Sequence, residues 1–372
     1  MPLYDGKSKQ EIEAILFQSI LDILHKKYGT QPDQAIEKRV RQEWHAMEVN
    51  ENTLDVAVLH ELCLWMRQEG YAYWLNGYAG SSFILYLLGV TAANPLPAHC
   101  LCPQCRSVKW NTQYKSGFDL PQSFTVCAVD GSAMEADGQD IPWQNLWGYA
   151  SKPSSLDIRI EAKLREPLYC FLEKHWLCKL HPESSPYVPY PKHPSLFRFS
   201  HITFDTLTDK EAAIQDFYKI KIDASCVTAA LENWKKLVCA ETNTLEAVEP
   251  PKSFADLVSL YGLLHIAGIR ESDRIWMERH SCCPLDMIVF TDDVYQYLLD
   301  HGFLEKDAWA GAQRVKCGKG LLPLQKDMNA SEDRRILEQL EAVRYLFPKA
   351  HAVEHVIFLL KTGYAFHSDN SG

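Results

Sequence analysis

Apolar residues recur every three or four positions near the N-terminus, where Ile12, Leu16, Ile20 and Leu24 fall on one face of a helix. Ser8 and Glu11 stand three apart just before them, the spacing of a capping box, and Tyr28-Gly29 closes the pattern. A second, highly charged helix is predicted from about residue 32 to 48, and a third from Thr53 to Glu69, stopped by Gly70. "YAYWLNGYAGSSFILYLLG" then reads as a short strand over 71–75, a glycine turn, and a helix starting at Gly80-Ser81-Ser82. From Asn94 to Tyr149 the helical period disappears while glycine, proline and aromatic residues rise, which marks an inserted module.

Strand character returns in "SSLDIRI" (154–160) and in "SLFRFSHITFD" (195–205), with the proline-dense loop "HPESSPYVPYPKHP" between them. Beyond Thr208 the pattern is helical, with candidates at 209–219, 224–240, 253–265, 291–301, 305–315, 331–346 and 350–363. No fixed-period repeat is visible. The architecture read from these patterns is α+β and mostly helical, in four segments: 1–93, 94–150, 151–208 and 209–372.

Composition narrows the picture. With 372 residues, 47% of them hydrophobic, the chain is long enough for about two or three domains and shows no signature of disorder. A formal net charge of -10 excludes a surface coated for non-specific nucleic-acid binding, so any DNA site must be a local basic patch. No apolar run reaches membrane-span length and the N-terminus lacks a signal-peptide pattern, so the expectation is a cytoplasmic protein with no membrane contact. In that compartment twelve cysteines are read as thiols and metal ligands rather than disulfides.

Cys102 and Cys105 form a Cys-x-x-Cys knuckle, and Cys127 and Asp130 repeat the same spacing after a loop. Two such knuckles, pointing four ligands at one tetrahedral ion, predict a structural zinc site. His99 and Cys100 compete with Asp130 for the fourth ligand. The loop between the knuckles has too few regularly spaced apolar residues to hold itself without a metal, and the pair does not sit in a βαβ unit, which argues against a thioredoxin-like redox role. Cys282 and Cys283 in "HSCC" are read as ordinary thiols, and Asp292-Asp293 as a cap for the helix that follows.

The chain resembles the PolC-type DNA polymerase III alpha subunit of low-GC Gram-positive bacteria. The resemblance rests on "YAYWLNGYAGSSFILYLLGVTAANPLPAHCLCPQC", "SGFDLPQ", "DGQDIPWQNLWGY", "PKSFADLVSLYGLLH", "KCGKGL" and "YLFPKAHAVEHV", in the family's order. It runs from about Ile12 to Phe366 and corresponds to the palm-to-fingers stretch of a much larger polymerase. It implies a degenerate polymerase-type palm β element, an inserted zinc ribbon and a helical, fingers-like C-terminal half.

The family's functional residues transfer only in part. Gly80, Ser81 and Ser82 match a turn that helps hold the incoming triphosphate, although the family's arginine just before it is Asn76 here. A plain helix cap explains the same serines. The family's paired strand aspartates become Ser155 and Asp157, and its third aspartate falls on Phe197 in one register and Asp205 in another. Lys316, Lys319, Lys349 and His351 match fingers positions suited to phosphate contact, where a turn and a helix start are the plain alternative.

Template-directed nucleotidyl transfer needs carboxylates that converge on two Mg ions. At best two of three remain, so the leading expectation is a catalytically inactive, pseudoenzyme-like scaffold that binds DNA or a replication or repair protein. The alternative is a minimal Mg-dependent nucleotidyltransferase using Asp157, Asp205 and Glu161. A third reading puts a new protein-docking strip in residues 181–194.

Overall fold

The structure, a computed structural model, describes residues 3–149, 154–176, 197–207, 220–237, 250–265, 288–321 and 334–361. The helix expected at 209–219, the loop at 181–194 and the "HSCC" segment lie outside the described residues. The chain divides into two compact units, residues 1–221 and 222–372. Segments 1–93, 94–150 and 151–208 all fall within the first unit.

The first unit opens with α1 (Lys9–Tyr28), α2 (Gln34–Val49) and α3 (Thr53–Gln68). Ser8 caps α1 through the reciprocal pair expected from its spacing: its hydroxyl oxygen accepts from the Glu11 amide, and Glu11 accepts from the Ser8 amide at 2.8 Å. Ile12, Leu16, Ile20 and Leu24 are buried along α1, so the three-to-four period is the core stripe. Next come β1 (Tyr73–Asn76), a turn of 3-10 helix over Ala79–Ser81, and α4 (Phe83–Leu87), so the helix starts after Ser82 rather than at Gly80.

A three-stranded sheet follows, made of β2 (His99–Leu101), β3 (Val108–Trp110) and β4 (Glu135–Asp137) in the order β3-β2-β4, all antiparallel. Then come α5 (Gln144–Trp147), β5 (Leu156–Ile160), α6 (Arg165–His175), β6 (Phe197–Phe199) and β7 (Ile202–Thr206). The second sheet has the order β1-β5-β7-β6, with β5 and β7 parallel and the other pairs antiparallel. The single strand expected over 195–205 is a hairpin instead, because Ser200 adopts a left-handed φ of 54° and turns the chain. Leu156, Ile158, Ile160, Ile202 and Phe204 face a shared core with the stripes of α1, α3 and α6.

The second unit contains α7 (Ala224–Glu232), α8 (Trp234–Leu237), α9 (Phe254–His265), α10 (Thr291–Asp300), α11 (Glu305–Lys316), α12 (Arg334–Ala342) and α13 (Lys349–Lys361). Val294, Leu298, Ala308, Ala312, Val315, Leu337 and Leu340 close one core across α10, α11 and α12. Tyr261 of α9 stacks on His355 of α13 with centroids 4.7 Å apart.

The three-stranded sheet is stitched by a backbone approach that only glycine allows. The Gly117 amide donates to the Gly138 carbonyl at 2.6 Å, and a Cβ on Gly117 would lie 2.0 Å from the Asp137 carbonyl oxygen. Gly117→Ala is therefore expected to destabilise the first unit by about 1–3 kcal/mol, the usual range for overpacking. A urea titration that gives an unchanged midpoint would contradict this.

Candidate functional site

The two knuckles are built alike. In the first, the Cys102 amide donates to the Ser107 carbonyl at 2.9 Å and the Arg106 amide to the Cys102 carbonyl at 3.0 Å. In the second, Cys127 and Ser132 make the same bond at 2.9 Å, and Gly131 and Cys127 at 3.0 Å. Arg106 and Gly131, each four residues after the leading cysteine, share left-handed φ values of 62° and 72°. Amides aim at the sulfurs in both: Gln104 and Cys105 donate to Cys102 Sγ at 3.4 and 3.3 Å, and Val129 to Cys127 Sγ at 3.4 Å. Asp130 thus occupies the place that Cys105 holds in its own knuckle.

The four donor atoms of Cys102, Cys105, Cys127 and Asp130 lie within 4.8 Å of one another. Cys105 Sγ and Cys127 Sγ are 3.5 Å apart, and Cys102 Sγ and Asp130 Oδ2 are 3.4 Å apart. A tetrahedral zinc with ligands at about 2.0–2.3 Å separates its donors by about 3.5–3.8 Å, so the residues present fit a metal. Burial opposes ionisation of Cys102, yet the Ser132 hydroxyl and the knuckle amides bring its thiol down to about 7. The Ser132 hydroxyl and amide hold the Asp130 carboxyl far below its usual range.

The rival ligands are engaged elsewhere. Cys100 is buried in the middle of β2, and His99 Nδ1 lies 2.8 Å from the Pro97 carbonyl with its Nε2 3.5 Å from the Tyr28 hydroxyl.

The glycine-serine turn is held from below by a buried carboxylate. Glu43 of α2 accepts from the Ser82 hydroxyl at 2.6 Å and from the Phe83 and Ile84 amides at 2.9 and 3.2 Å. Arg39, one turn earlier on α2, pairs with Glu43 and donates to the Ser81 and Ile141 carbonyls at 2.7 and 3.1 Å. The first amides of α4 are thereby satisfied inside the protein. Gly80 and Ser81 form the short 3-10 turn, fully buried.

Asp157 and Asp205 share the outer face of the four-stranded sheet. Asp157 on β5 is in register with Asn76 and Thr203, and Asp205 on β7 with Arg159. Strand spacing and rise place the two carboxylates on a diagonal, about 8 Å apart along the backbone. The Ser155 hydroxyl donates to Asp157 Oδ1 at 3.0 Å. Asp157 Oδ2 is also the near neighbour of Gly77, 3.9 Å from where a Cβ would stand, so this carboxylate adjoins the start of the glycine-serine turn.

Arg159, which sequence reasoning passed over, stands on the same face. Its Nε lies 3.8 Å from Asp205 Oδ2, its Nη2 donates to the Thr206 carbonyl at 2.9 Å, and its guanidinium carbon sits 5.6 Å from the centre of the Trp74 ring. Glu161, just past the end of β5, is engaged by other groups: it accepts from the Ala72 amide at 3.2 Å and pairs with Lys163 at 2.7 Å.

In the second unit, Lys316 ends α11 and Lys319 follows in the loop whose Gly318 has a left-handed φ of 70°. A Cβ on Gly318 would lie 2.9 Å from the Arg344 carbonyl, so the glycine permits the loop to close on that segment. Burial lowers the Lys316 ammonium below its usual range. Lys349 opens α13, and its amide donates to Asp292 Oδ2 at 2.9 Å. Asp293 accepts from the Val289 and Phe290 amides at 2.9 and 2.8 Å, as the start of α10 predicted, while Asp292 caps a different helix. Tyr345, 42% exposed, packs edge-on against Phe347 at 5.4 Å, and Phe347 in turn lies 5.1 Å from His351.

No protein-family model matches the chain. Among curated proteins, the PolC-type DNA polymerase III of Thermotoga petrophila is 24% identical over 91% of this chain, and that of Bacillus subtilis 20% identical over 98%. The chain is a divergent relative of PolC-type DNA polymerase III. It spans about a third of the length of these relatives, 32% in both cases. A counterpart from Streptococcus suis is 30% identical over a shorter stretch of 148 residues. The Thermotoga alignment extends over 451 residues while taking in only 91% of this chain, so the relative carries roughly a hundred positions inside the matched span that this chain lacks.

Two outcomes follow from this geometry. Purified protein is expected to carry one zinc per chain, lost in Cys105→Ser and Cys127→Ser but kept in His99→Ala and Cys100→Ser, as read by metal analysis of the folded variants. In the second unit, burial raises the Asp292 carboxyl to about 6, so the folded form keeps its proton after an unfolded aspartate has released it. Stability of that unit should fall as pH rises from about 4 to about 6, by roughly 2–3 kcal/mol from this group. Asp292→Asn should flatten the slope in thermal melts across that range.

Proposed function

We propose that this PolC relative is a polymerase-derived, non-polymerising protein that binds DNA or a replication or repair protein through retained, zinc-supported structure. It acts as a scaffold in the bacterial cytoplasm. The observation that carries the reading is the Asp157 face. Where two-metal chemistry needs a second anionic bridge on the same strand, Ser155 supplies a neutral hydroxyl already donated to Asp157. The remaining carboxylate partner, Asp205, sits on the neighbouring strand across a diagonal. Mg therefore has no convergent set of three carboxylates, and the zinc knuckles, which serve structure, keep a complete donor set.

DNA contact is assigned to the second unit, where Lys316, Lys319, Lys349 and His351 accompany Tyr345 and Phe347. Lysines near the exposed Tyr345 ring, itself packed on the half-buried Phe347, suit a single strand, with ammonium groups following phosphates and an aromatic ring accepting a base. Such contacts confer affinity without reading sequence and weaken with salt. On an acidic body this patch gives modest affinity. Among the described residues no helix is long and apolar enough to cross a membrane. The rival reading, a minimal nucleotidyltransferase, draws on the shared face of Asp157 and Asp205 beside the glycine-serine turn.

Primer extension with all four dNTPs and Mg2+ or Mn2+ separates the two readings, with gel-shift binding read from the same samples. No extension is expected, together with salt-dependent binding of a primer-template. Lys316→Ala with Lys319→Ala should reduce the slope of log affinity against log salt by about 1–2. Extension that disappears in Asp157→Asn would defeat the proposal, and absence of both extension and binding would redirect it to a protein partner.

A further inference from the structure

The outer face of the four-stranded sheet already contains a cation. Arg159 is directly in register with Asp205, against whose carboxylate its guanidinium lies, and stands two residues from Asp157 on the same face of its own strand. Three strands hold it: β1 through the Trp74 ring at 5.6 Å, and β7 through the Thr206 carbonyl at 2.9 Å and the Asp205 carboxylate at 3.8 Å, with β5 supplying the backbone. Its side chain is only 19% exposed, so the group is anchored rather than swept through solvent.

Polymerase chemistry on such a face requires divalent metal between the carboxylates. The residues present do not fit that requirement. One carboxylate position is Ser155, and the space along the Asp157–Asp205 diagonal adjoins a fixed positive charge that would repel a second cation at short range.

We propose that the Arg159 guanidinium is the resident counter-ion of the Asp157–Asp205 face and replaces the divalent metals there, so that this face neither binds nor needs Mg2+ or Mn2+. The inference rests on the non-polymerising reading and gives it a cause. Ser155 in place of a carboxylate, with Arg159 against Asp205, leaves the face with an internal ion pair in place of a metal site. Any ligand of this face then meets hydrogen-bonding groups and a half-compensated carboxylate pair rather than a Lewis acid.

The test is a Mn2+ titration of the zinc-loaded full chain, following free Mn2+ by electron paramagnetic resonance. Wild-type protein and Asp157→Asn should bind Mn2+ equally weakly. Arg159→Gln should gain affinity by at least about tenfold, since a repelling charge is removed at close range. That gain should vanish when Asp157→Asn is added, and Arg159→Lys, which keeps the charge, should show no gain.

Circular dichroism establishes that each variant is folded, and the comparison of wild type with Asp157→Asn stands even if Arg159→Gln is not. Asp157-dependent Mn2+ binding by wild type, or a folded Arg159→Gln with no gain, would overturn the inference. The second of those outcomes leaves the non-polymerising reading intact, whereas primer extension by wild type would defeat that reading on its own.

Discussion

The alternation of β5 is the constraint on which the first unit depends. Leu156, Ile158 and Ile160 are buried while Asp157 and Arg159 face outward. A slip of one residue would expose three aliphatic side chains, each worth about 1.5–3 kcal/mol of burial, and would drive two charges into the core at several kcal/mol each. No other register competes. With β5 fixed, β1 and β7 must pair along it, and the chain leaving β1 must turn at Gly77 beside Asp157. The strand pattern thus decides both where the core lies and which polar groups meet on its outer face.

Two helix starts, those of α4 and α13, are met by carboxylates from other helices. Glu43 of α2 meets the first amides of α4, and Asp292 of α10 meets the first amide of α13. A helix N-terminus presents unpaired donors and partial positive charge, which an anion satisfies. In both places the segment is one that resembles a phosphate-contacting motif of the polymerase family, and in both the carboxylate is nearly or fully buried. In both places the internal anion gives "GSSF" and "FPKAHA" a packing role of their own. At the Glu43 site the cost of the buried charge is offset by Arg39 and three hydrogen bonds, an arrangement far more specific than an exposed ion pair four residues apart on a helix.

Much of this was legible in the sequence because it depends on local spacing. The capping box at Ser8, the stripe of α1, the stop at Gly29 and the repeated knuckle spacing each need only a few neighbouring residues to be recognised. What escaped depends on distance. The α6 helix has sparse apolar positions, Leu168 and Leu172, and a proline in its first turn that reads as a loop signal, though proline is tolerated there. The hairpin at Ser200 lacks the glycine that usually announces a turn with positive φ. Arg39 and Glu43 look like a solvent-facing pair until α4 is laid over them. Arg159 has no local signature at all, because its meaning arises only once β7 is placed alongside it.

A polymerase face holds like charges together, and that arrangement strains the fold unless metal neutralises it. On the sheet here Ser155 adds no repulsion beside Asp157, and Arg159 opposite Asp205 adds an attraction, so both features suit the packed sheet. Both features favour the packed strand pair. The two knuckles follow the opposite rule. There, thiols brought within 4.8 Å of one another and of Asp130, with amides directed at the sulfurs, concentrate negative charge that the loop by itself has little packing to support. Opposite charges meet on the sheet face, whereas the knuckles gather donors that suit an ion, and that division is the physical basis of the proposed scaffold reading.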